Sequence, residues 1–417
     1  MEDIIFINQF ISILFVIFYG YQLVYILRAL FQKDEPHQEV KAHRFAVLIA
    51  ARNEERVIGH LIESIHQQTY EGGEISIFVV ADNCTDKTTQ KARELGATVY
   101  ERFNQEQVGK GYALDFLLQQ IKKDYQAFDG YFVFDADNLL DPNYIKEMNQ
   151  TFCDGYEIIT SYRNSKNYGD NWISSGYAIW FLWESAFLNR GRMLKKKSCA
   201  ISGTGFFFSQ RILEKHGGWK CFLLTEDIQF TIENVLQGEQ VGYCQNAIIY
   251  DEQPVVFKQS FRQRMRWVKG TLQVFSCYSI ELIKSVFKFQ ASCYDMLMML
   301  IPPTVLTFFT LFYNLTMLSL GEYKVDQVQL LYSLFGKTIF NMYSVLIMLS
   351  TIVILTQWNR IHTTPLKKVL SIFTFPFFMF TYIPVTLAAL FQKVEWKPIE
   401  HHQVKTIADI KMLETKK

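Results

Sequence analysis

The chain has 417 residues, enough for two or three domains, and its 42 Lys and Arg nearly cancel 41 Asp and Glu to a net charge of +1, which excludes the broad basic surface of a nucleic-acid partner. Its seven cysteines, an odd number without a CxxC pair, exclude a disulfide framework or a structural zinc site and suit a reducing cytosolic face. Aromatic residues reach 16%, with 36 Phe, a level that suits membrane helices or surfaces that stack on carbohydrate.

Ile4 to Leu27 contains no Lys, Arg, Asp or Glu. At ~20 residues per crossing it is long enough to span a bilayer. Its length and acidic flank, Glu2-Asp3, distinguish it from a cleavable signal peptide. Arg28, Lys33, Lys41 and Arg44 follow, so the positive-inside rule places the next region in the cytosol. Phe45 to Ala50 is a near-continuous apolar run, as expected of a strand covered on both faces. Glu54 to Gln68 has helical spacing, Ile75 to Ala81 reads as a second strand, and Lys87 to Leu95 as a short helix stopped by Gly96. A third strand over Thr98 to Tyr100, a helix over Gly111 to Ile121 and a strand over Tyr131 to Phe134 follow. This alternation predicts a parallel, Rossmann-like sheet, with ligands at the carboxyl ends of its strands.

Trp172 to Leu194 is rich in Trp and Phe and ends among Arg and Lys, which predicts an amphipathic helix at the membrane interface. A second such helix is expected from Leu272 to Phe289. Three further charge-free segments, Met296 to Leu320, Thr338 to Asn359 and Val369 to Gln392, are each long enough to cross. Arg360, Lys367 and Lys368 put the loop between the last two in the cytosol, and the Gly321 to Lys337 loop outside. Three full crossings would carry the Lys-rich tail, 393–417, outside as well. Pro302-Pro303, Pro376 and Pro384 offer breaks that would make a segment re-entrant and return the tail to the cytosol. The domains expected are therefore a transmembrane helix over 1–30, an α/β unit over 44–270, an interfacial helix and transmembrane region over 271–392, and the basic tail.

The chemistry sits at the expected strand and helix ends. Asp82, closing a strand in Ala81-Asp82-Asn83, can accept hydrogen bonds from a uracil or ribose, and Glu54 can do likewise. Alone, each is equally a loop cap or a first-turn acid. Asp135-Ala136-Asp137 follows an apolar strand, and alternation points both carboxylates one way if the strand continues. A hard cation such as Mg2+ or Mn2+ takes one or two carboxylates with phosphate oxygens and water, and would neutralise charge on a leaving diphosphate. Lys110, in Gly109-Lys110-Gly111 before a helix, can meet phosphate. Ser202-Gly203-Thr204-Gly205 would let a sugar approach the backbone. Thr225 reads as the N-cap of a helix opening with Glu226 and Asp227, and the helix end would keep Asp227 ionised as a general base. In Gln263-Arg264-Met265-Arg266-Trp267, Arg266 can grip a diphosphate in bidentate fashion and Trp267 can stack on a sugar.

In this order the motifs resemble those of the processive family 2 glycosyltransferases, the cellulose, hyaluronan, chitin and poly-N-acetylglucosamine synthases. The resemblance covers residues from about 44 to 270, with membrane segments on either side. It implies an α/β GT-A (Rossmann-like) cytosolic domain with transmembrane and interfacial helices, in a multi-pass protein of the cell membrane. It implies that Asp82 contacts the nucleotide and that Asp137 helps hold the metal and diphosphate. Asp227 would be the base, with Thr204, Gly205, Glu226, Gln263, Arg264 and Trp267 around acceptor and diphosphate. The first acidic motif departs from the pattern, since many relatives have two acids where Asp82 and Asn83 stand. Only one N-terminal span is present where several relatives have two. Trp396-Lys397-Pro398-Ile399 only loosely matches an active-site loop of some relatives, and no cyclic-dinucleotide-binding domain is recognisable.

The expected activity is polymerisation of a β-linked glycan from a UDP-sugar, UDP-N-acetylglucosamine first and UDP-glucose second, with extrusion through the bilayer. The growing glycan would be the acceptor and accessory secretion proteins stay open as partners. Two alternatives remain: a non-processive transferase placing one sugar on a lipid, and an inactive membrane subunit of a secretion complex.

Overall fold

The computed structural model of the chain describes residues 2–33, 38–301, 303–320, 325–394 and 405–412. Helices α1 (Glu2–Tyr19) and α2 (Gln22–Phe31) lead into strand β1 (Arg44–Ala51), followed by α3 (Ile58–His66), β2 (Glu74–Asp82), α4 (Thr88–Glu94), β3 (Thr98–Arg102), α5 (Lys110–Asp124) and β4 (Gly130–Asp135). β1 lies between β2 and β4 and parallel to both. Its two faces are therefore covered, and Phe45 to Ile49 are fully buried, which is why this strand reads as continuous apolar sequence. The helix expected from Glu54 begins instead at Ile58. Side chains of the neighbouring loop take the intervening N–H groups, Glu54 N donating to Thr88 Oγ1 (2.8 Å) and Glu55 N to Asp86 Oδ2 (3.1 Å), so they are fixed in a turn before the helix starts.

The second half adds β5 (Leu139–Leu140), α6 (Tyr144–Cys153), β6 (Ile158–Ser165), α7 (Trp172–Trp183), α8 (Arg190–Leu194), β7 (Phe206–Ser209), α9 (Gln210–His216), α10 (Glu226–Leu236) and β8 (Val241–Asp251). The sheet runs β3-β2-β1-β4-β7-β6-β8-β5. β7 is antiparallel to both its neighbours, while β6 and β8 are parallel. One apolar core, with Leu114, Leu117, Tyr177 and Phe208, covers one face. A second, with Ile58, Ile62, Tyr144 and Phe207, covers the other.

α7 opens with a capping box, Asn171 Oδ1 accepting from Ile173 N and Ser174 N while Ser174 Oγ accepts from Asn171 N. A one-sided amphipathic helix was the expectation here; instead α7 is buried on nearly every side. It lies between β6 and two C-terminal helices, α14 (Val325–Thr356) and α15 (Pro365–Phe380). A Cβ at Gly176 would lie 2.3 Å from Phe378 Cγ, so only glycine permits this approach.

The remaining helices are α11 (Phe257–Phe287), α12 (Ala291–Leu300), α13 (Pro303–Leu320), α16 (Tyr382–Phe391) and α17 (Ile407–Met412). The helix expected from Leu272 is the second half of α11, a single 31-residue helix that also carries Gln263 to Trp267. The apolar run from Met296 is broken between α12 and α13. Among the described residues, Tyr332–Thr356 and Pro365–Phe391 are long and apolar enough to cross a membrane, and Ile4–Tyr19 with Gln22–Phe31, bent by 44°, could serve as one broken span. The α15–α16 pair packs on α7, α11 and α14. Lys367 Nζ donates to Gly169 O (2.7 Å), Arg264 Nη1 to Thr381 Oγ1 (2.6 Å) and Lys269 Nζ to Ala389 O (3.1 Å). Leu366, Val369, Phe373 and Phe377 stay exposed on its outer side. Ile410 of α17 is buried against Leu139 and Tyr250, which puts residues 405–412 on the sheet. Residues 395–400, with Trp396, lie outside the described residues.

Candidate active site

The carboxyl ends of β1, β2 and β4 open into a cavity of about 1840 Å3, lined by Glu54, Asp82, Asp135 and Asp137. Asp82, the last residue of β2, is 5% exposed, and its Oδ1 accepts from Arg102 Nη1 (2.6 Å) and Asn83 Nδ2 (3.1 Å). Asp135 ends β4, and Ala136 and Asp137 form a turn instead of continuing the strand, closed by Asn138 N donating to Asp135 O (3.0 Å). The alternation expected to align the two carboxylates therefore does not apply; the turn brings them to one cavity by another route. Asp135 Oδ1 accepts from Lys110 Nζ at 2.5 Å, while Asp137 Oδ2 accepts from Glu252 N at 3.2 Å.

Lys110 begins α5 and reaches across the cavity, donating also to Gly203 O (2.8 Å). Burial works against its charge, but Asp135, Glu226 and Asp227 outweigh it and raise its pKa. Gly203, with φ +77°, turns its N–H onto Asp227 Oδ2 at 2.6 Å. Thr204 and Gly205, expected beside the acceptor, lie behind this wall. Thr204 Oγ1 donates to Asn138 Oδ1 (2.5 Å) and accepts from Asp135 N (2.9 Å). At Gly205, φ +68°, a Cβ would lie 2.7 Å from Ser161 Oγ. They shape the loop that presents Gly203.

Glu226 and Asp227 open α10 and line the same cavity. Thr225 precedes the helix, but its hydroxyl makes no cap and is buried without a partner. Burial, then the neighbouring Asp227, push Glu226 up to about 7 against the pull of Lys110 and Arg266. Burial likewise raises Asp227, against hydrogen bonds from Gly203 and Ile228 N–H groups. The helix end was expected to hold Asp227 down; burial in this crowded acidic site is the larger effect. A carboxylate made more basic is the better proton acceptor.

On α11, Gln263, Arg266 and Trp267 stand at i, i+3 and i+4, one helical face, and all three line the cavity. Arg264, the remaining expected clamp residue, is rotated away and fully buried. Its guanidinium lies over Phe378 (4.5 Å) and Tyr382 (4.9 Å) and donates to Phe378 O (3.3 Å) and Thr381 Oγ1. It fastens α11 to α15–α16 and does not face the site. Trp267 is held edge-on by Tyr177 and Phe181.

Among the cavity-lining residues that were not expected are Asp251, Arg163 and Glu184. Asp251, ending β8, takes Arg163 in an ion pair and accepts from Asn138 Nδ2 (3.0 Å) and Gln253 Nε2 (2.9 Å). Burial would raise its pKa, but Arg163 overrides it and holds the carboxyl below the usual range. Arg163 in turn lies 3.7 Å over the Phe181 ring. Glu184 sits at the start of a π-helical turn, 184–189, that follows α7. Asp251 ends an apolar strand just as Asp82 and Asp135 do, and Glu184 is the lone acid between Trp172 and Leu194; both signals were present in the sequence. Nothing local marked Arg163.

No three acidic, His or Cys side chains among the described residues come together to enclose a metal. The donor set does fit a hard cation shared with a ligand: Asp137, with Asp135 across the turn, would supply carboxylate oxygen, and phosphate and water the rest.

From this polar end the cavity continues between α1, α12, α14 and α16, where Ile5, Val16, Met298, Leu346, Leu349, Ile352 and Ile383 form its walls. Aliphatic and Met side chains are the commonest group there, with polar Asn8, Gln9, Thr338 and Asn341 and aromatic Phe15 and Phe340 among them.

Among curated proteins, the chain is 25% identical over 238 residues to a beta-monoglucosyldiacylglycerol synthase of Synechocystis, covering 56% of this chain and 48% of that protein. It is 34% identical over 98 residues to a 4,4'-diaponeurosporenoate glycosyltransferase of Staphylococcus haemolyticus, covering 22% and 25%. The chain spans about half the length of such curated relatives. Its fold is shared with a mannosyltransferase of Pyrobaculum calidifontis, solved with GDP-Man and Mn2+, at a TM-score of 0.57 and 14% identity over 92% of this chain and 99% of that one. Residues 43–270 match the family described as Glycosyltransferase like family 2, and the chain belongs to that family.

Proposed function

We propose that the chain is a membrane-bound, inverting glycosyltransferase that moves one sugar from a UDP-sugar to a hydroxyl of a lipid acceptor. The observation that carries this reading is the continuity of the cavity: Asp82, Asp137, Asp227 and Arg266 share it with the aliphatic walls of α1, α12 and α14. A lipid tail is solvated by aliphatic side chains, the commonest group along this stretch. The two curated relatives named above carry lipid acceptors in their names, which agrees with this choice.

In this reading Asp82 and Glu54 take the nucleoside, and Lys110 and Arg266 the diphosphate. Mg2+ or Mn2+, held by Asp137 with Asp135 beside it, would offset charge on the departing diphosphate. The acceptor oxygen attacks the anomeric carbon from the face opposite UDP, forming the new C–O bond as the old one breaks. The bonding pair leaves with UDP, the hydroxyl proton passes to Asp227, and one displacement inverts the configuration. Polymer synthesis is the second reading, favoured by the Gln263, Arg266 and Trp267 face. Product size separates the two. Proteoliposomes given labelled UDP-glucose or UDP-N-acetylglucosamine with Mn2+ should yield a one-sugar, solvent-extractable lipid. A water-soluble ladder of oligomers would overturn the lipid reading in favour of polymerisation.

A further inference from the structure

Glu184 has no role in the transfer described above, yet it lines the same cavity as Asp227 and Arg266. The π turn that it opens widens the helix by one residue per turn, a feature concentrated at functional sites. The turn is held rigidly. Asn189 exchanges two hydrogen bonds with the Ala200 backbone (3.0 Å each), and Arg192 Nη1 donates to Asn189 Oδ1 (3.0 Å). Arg192 itself is clamped in bidentate fashion by the buried Asp295 (2.9 Å each).

Two consecutive loop residues fix two carboxylates. Ser202 Oγ donates to Glu184 Oε2 (2.9 Å), and Gly203 N donates to Asp227 Oδ2 (2.6 Å). Glu184 and the base are therefore neighbours on one wall. Its own pKa is raised, first by burial and in part by Asp227, against Ser202 and the Arg192 and Arg163 charges. Trp180, one turn earlier, and Tyr382 line the cavity beside it, and Ile26, Leu349 and Ile352 begin the aliphatic stretch.

We propose that Glu184 is an acceptor-binding residue that accepts a hydrogen bond from a second hydroxyl on the acceptor's head. It thereby selects a head group with at least two free hydroxyls, a sugar or a monoacylated glycerol, whose tail lies in the aliphatic part of the cavity. This rests on the lipid-acceptor reading and deepens it. A monohydroxylic amphiphile of equal tail length would lack the partner for Glu184.

The test compares wild type, Glu184→Gln and Glu184→Ala in mixed micelles at saturating donor, with octyl glucoside as the polyol acceptor and dioleoylglycerol, which has a single free hydroxyl, as the control whose KM should not respond to the substitutions. Glu184→Ala should raise the KM for octyl glucoside by about 10- to 100-fold, the loss of a hydrogen bond to a charged group. The KM for donor should hold. Glu184→Gln keeps an oxygen for Ser202 and puts an amide N–H where the second carboxylate oxygen stood, to which the hydroxyl can only accept, so its rise should be smaller than that of Glu184→Ala; it also carries the test if Glu184→Ala does not fold. Wild type that transfers sugar while both variants keep its acceptor KM would overturn the role of Glu184 alone. Wild type that releases UDP from no sugar donor would overturn the transferase reading beneath it.

Discussion

Replacing Asp227 by Asn removes a proton acceptor while leaving the shape of the site. Gly203 N–H lies 2.6 Å from Asp227 Oδ2, and an Asn carbonyl oxygen can take the same bond, so the loop that carries Ser202 and Gly203 stays in place. The loss is confined to proton transfer. A positioned general base is worth ~10²–10⁴ in rate, which is about 3–5.5 kcal/mol of barrier at 1.36 kcal/mol per tenfold. The upper half of that range is expected, because burial makes Asp227 a stronger base than a surface carboxylate. The substitution also removes a negative charge beside Glu226, and repulsion by Asp227 is second only to burial among the causes that raise Glu226 to about 7. Donor affinity should therefore hold or rise, since a diphosphate enters a less negative site. The assay pairs UDP release under saturating acceptor with calorimetric UDP binding in detergent. A turnover within about threefold of wild type, far less than a missing base costs, would refute the assignment. So would a loss traced wholly to weaker UDP binding.

Arg266→Ala should cost about 1.5–3 kcal/mol in kcat/KM for donor, the range for hydrogen bonds to charged groups; an unchanged value would show that this guanidinium never meets the diphosphate. Arg264→Met should behave oppositely, lowering stability by roughly 2 kcal/mol through loss of its bonds to Thr381 and Phe378 and its stacking on two rings, with donor kinetics held. Thermal unfolding beside donor kinetics separates the two arginines, and a kinetic defect at unchanged stability would return Arg264 to the site. Glu226 has a folded pKa of about 7 against an ordinary 4.5, so the native state keeps a proton that the unfolded state releases. Its contribution is full below 4.5 and is lost as pH rises through about 7, by roughly 3 kcal/mol in the ligand-free protein. Glu226→Gln should flatten that loss between pH 5 and 8, and an unaltered slope would count against the shift. Chelation by EDTA should abolish transfer, with Mn2+ or Mg2+ restoring it; full activity in EDTA would remove the cation from the account.

What the sequence disclosed was whatever rests on local pattern. Strands β1, β2 and β4 are covered on both faces, so their apolar runs were unambiguous, and acids at their ends followed from the parallel sheet. Gln263, Arg266 and Trp267 share a face by helical spacing alone. Arg264 could not be placed, because its fate is decided by aromatic rings of α15–α16 more than a hundred residues away. The Asp135-Ala136-Asp137 alternation failed because Asn138 N closes a turn on Asp135 O, a bond that no strand pattern reveals. Thr204 and Gly205 were near misses: the loop was found, but its two-residue depth relative to the cavity depends on β7 pairing with β4 and β6. Hydropathy marks the segment from Val369 as long enough to cross, and it does not record that Lys367, Arg264 and Lys269 tie it to Gly169 and α11. Glu184 and Asp251 were visible as acids in apolar surroundings and were passed over.

The account as a whole turns on distant acids meeting around one nucleoside diphosphate. Crystals soaked with UDP and Mn2+, measured at a wavelength where manganese scatters anomalously, test this most directly. A single anomalous peak within coordination reach of Asp137, with the diphosphate between it and Arg266 and the nucleoside against Asp82, is the expected result. Nucleotide and manganese bound away from Asp137 and Arg266, or in separate places, would contradict it.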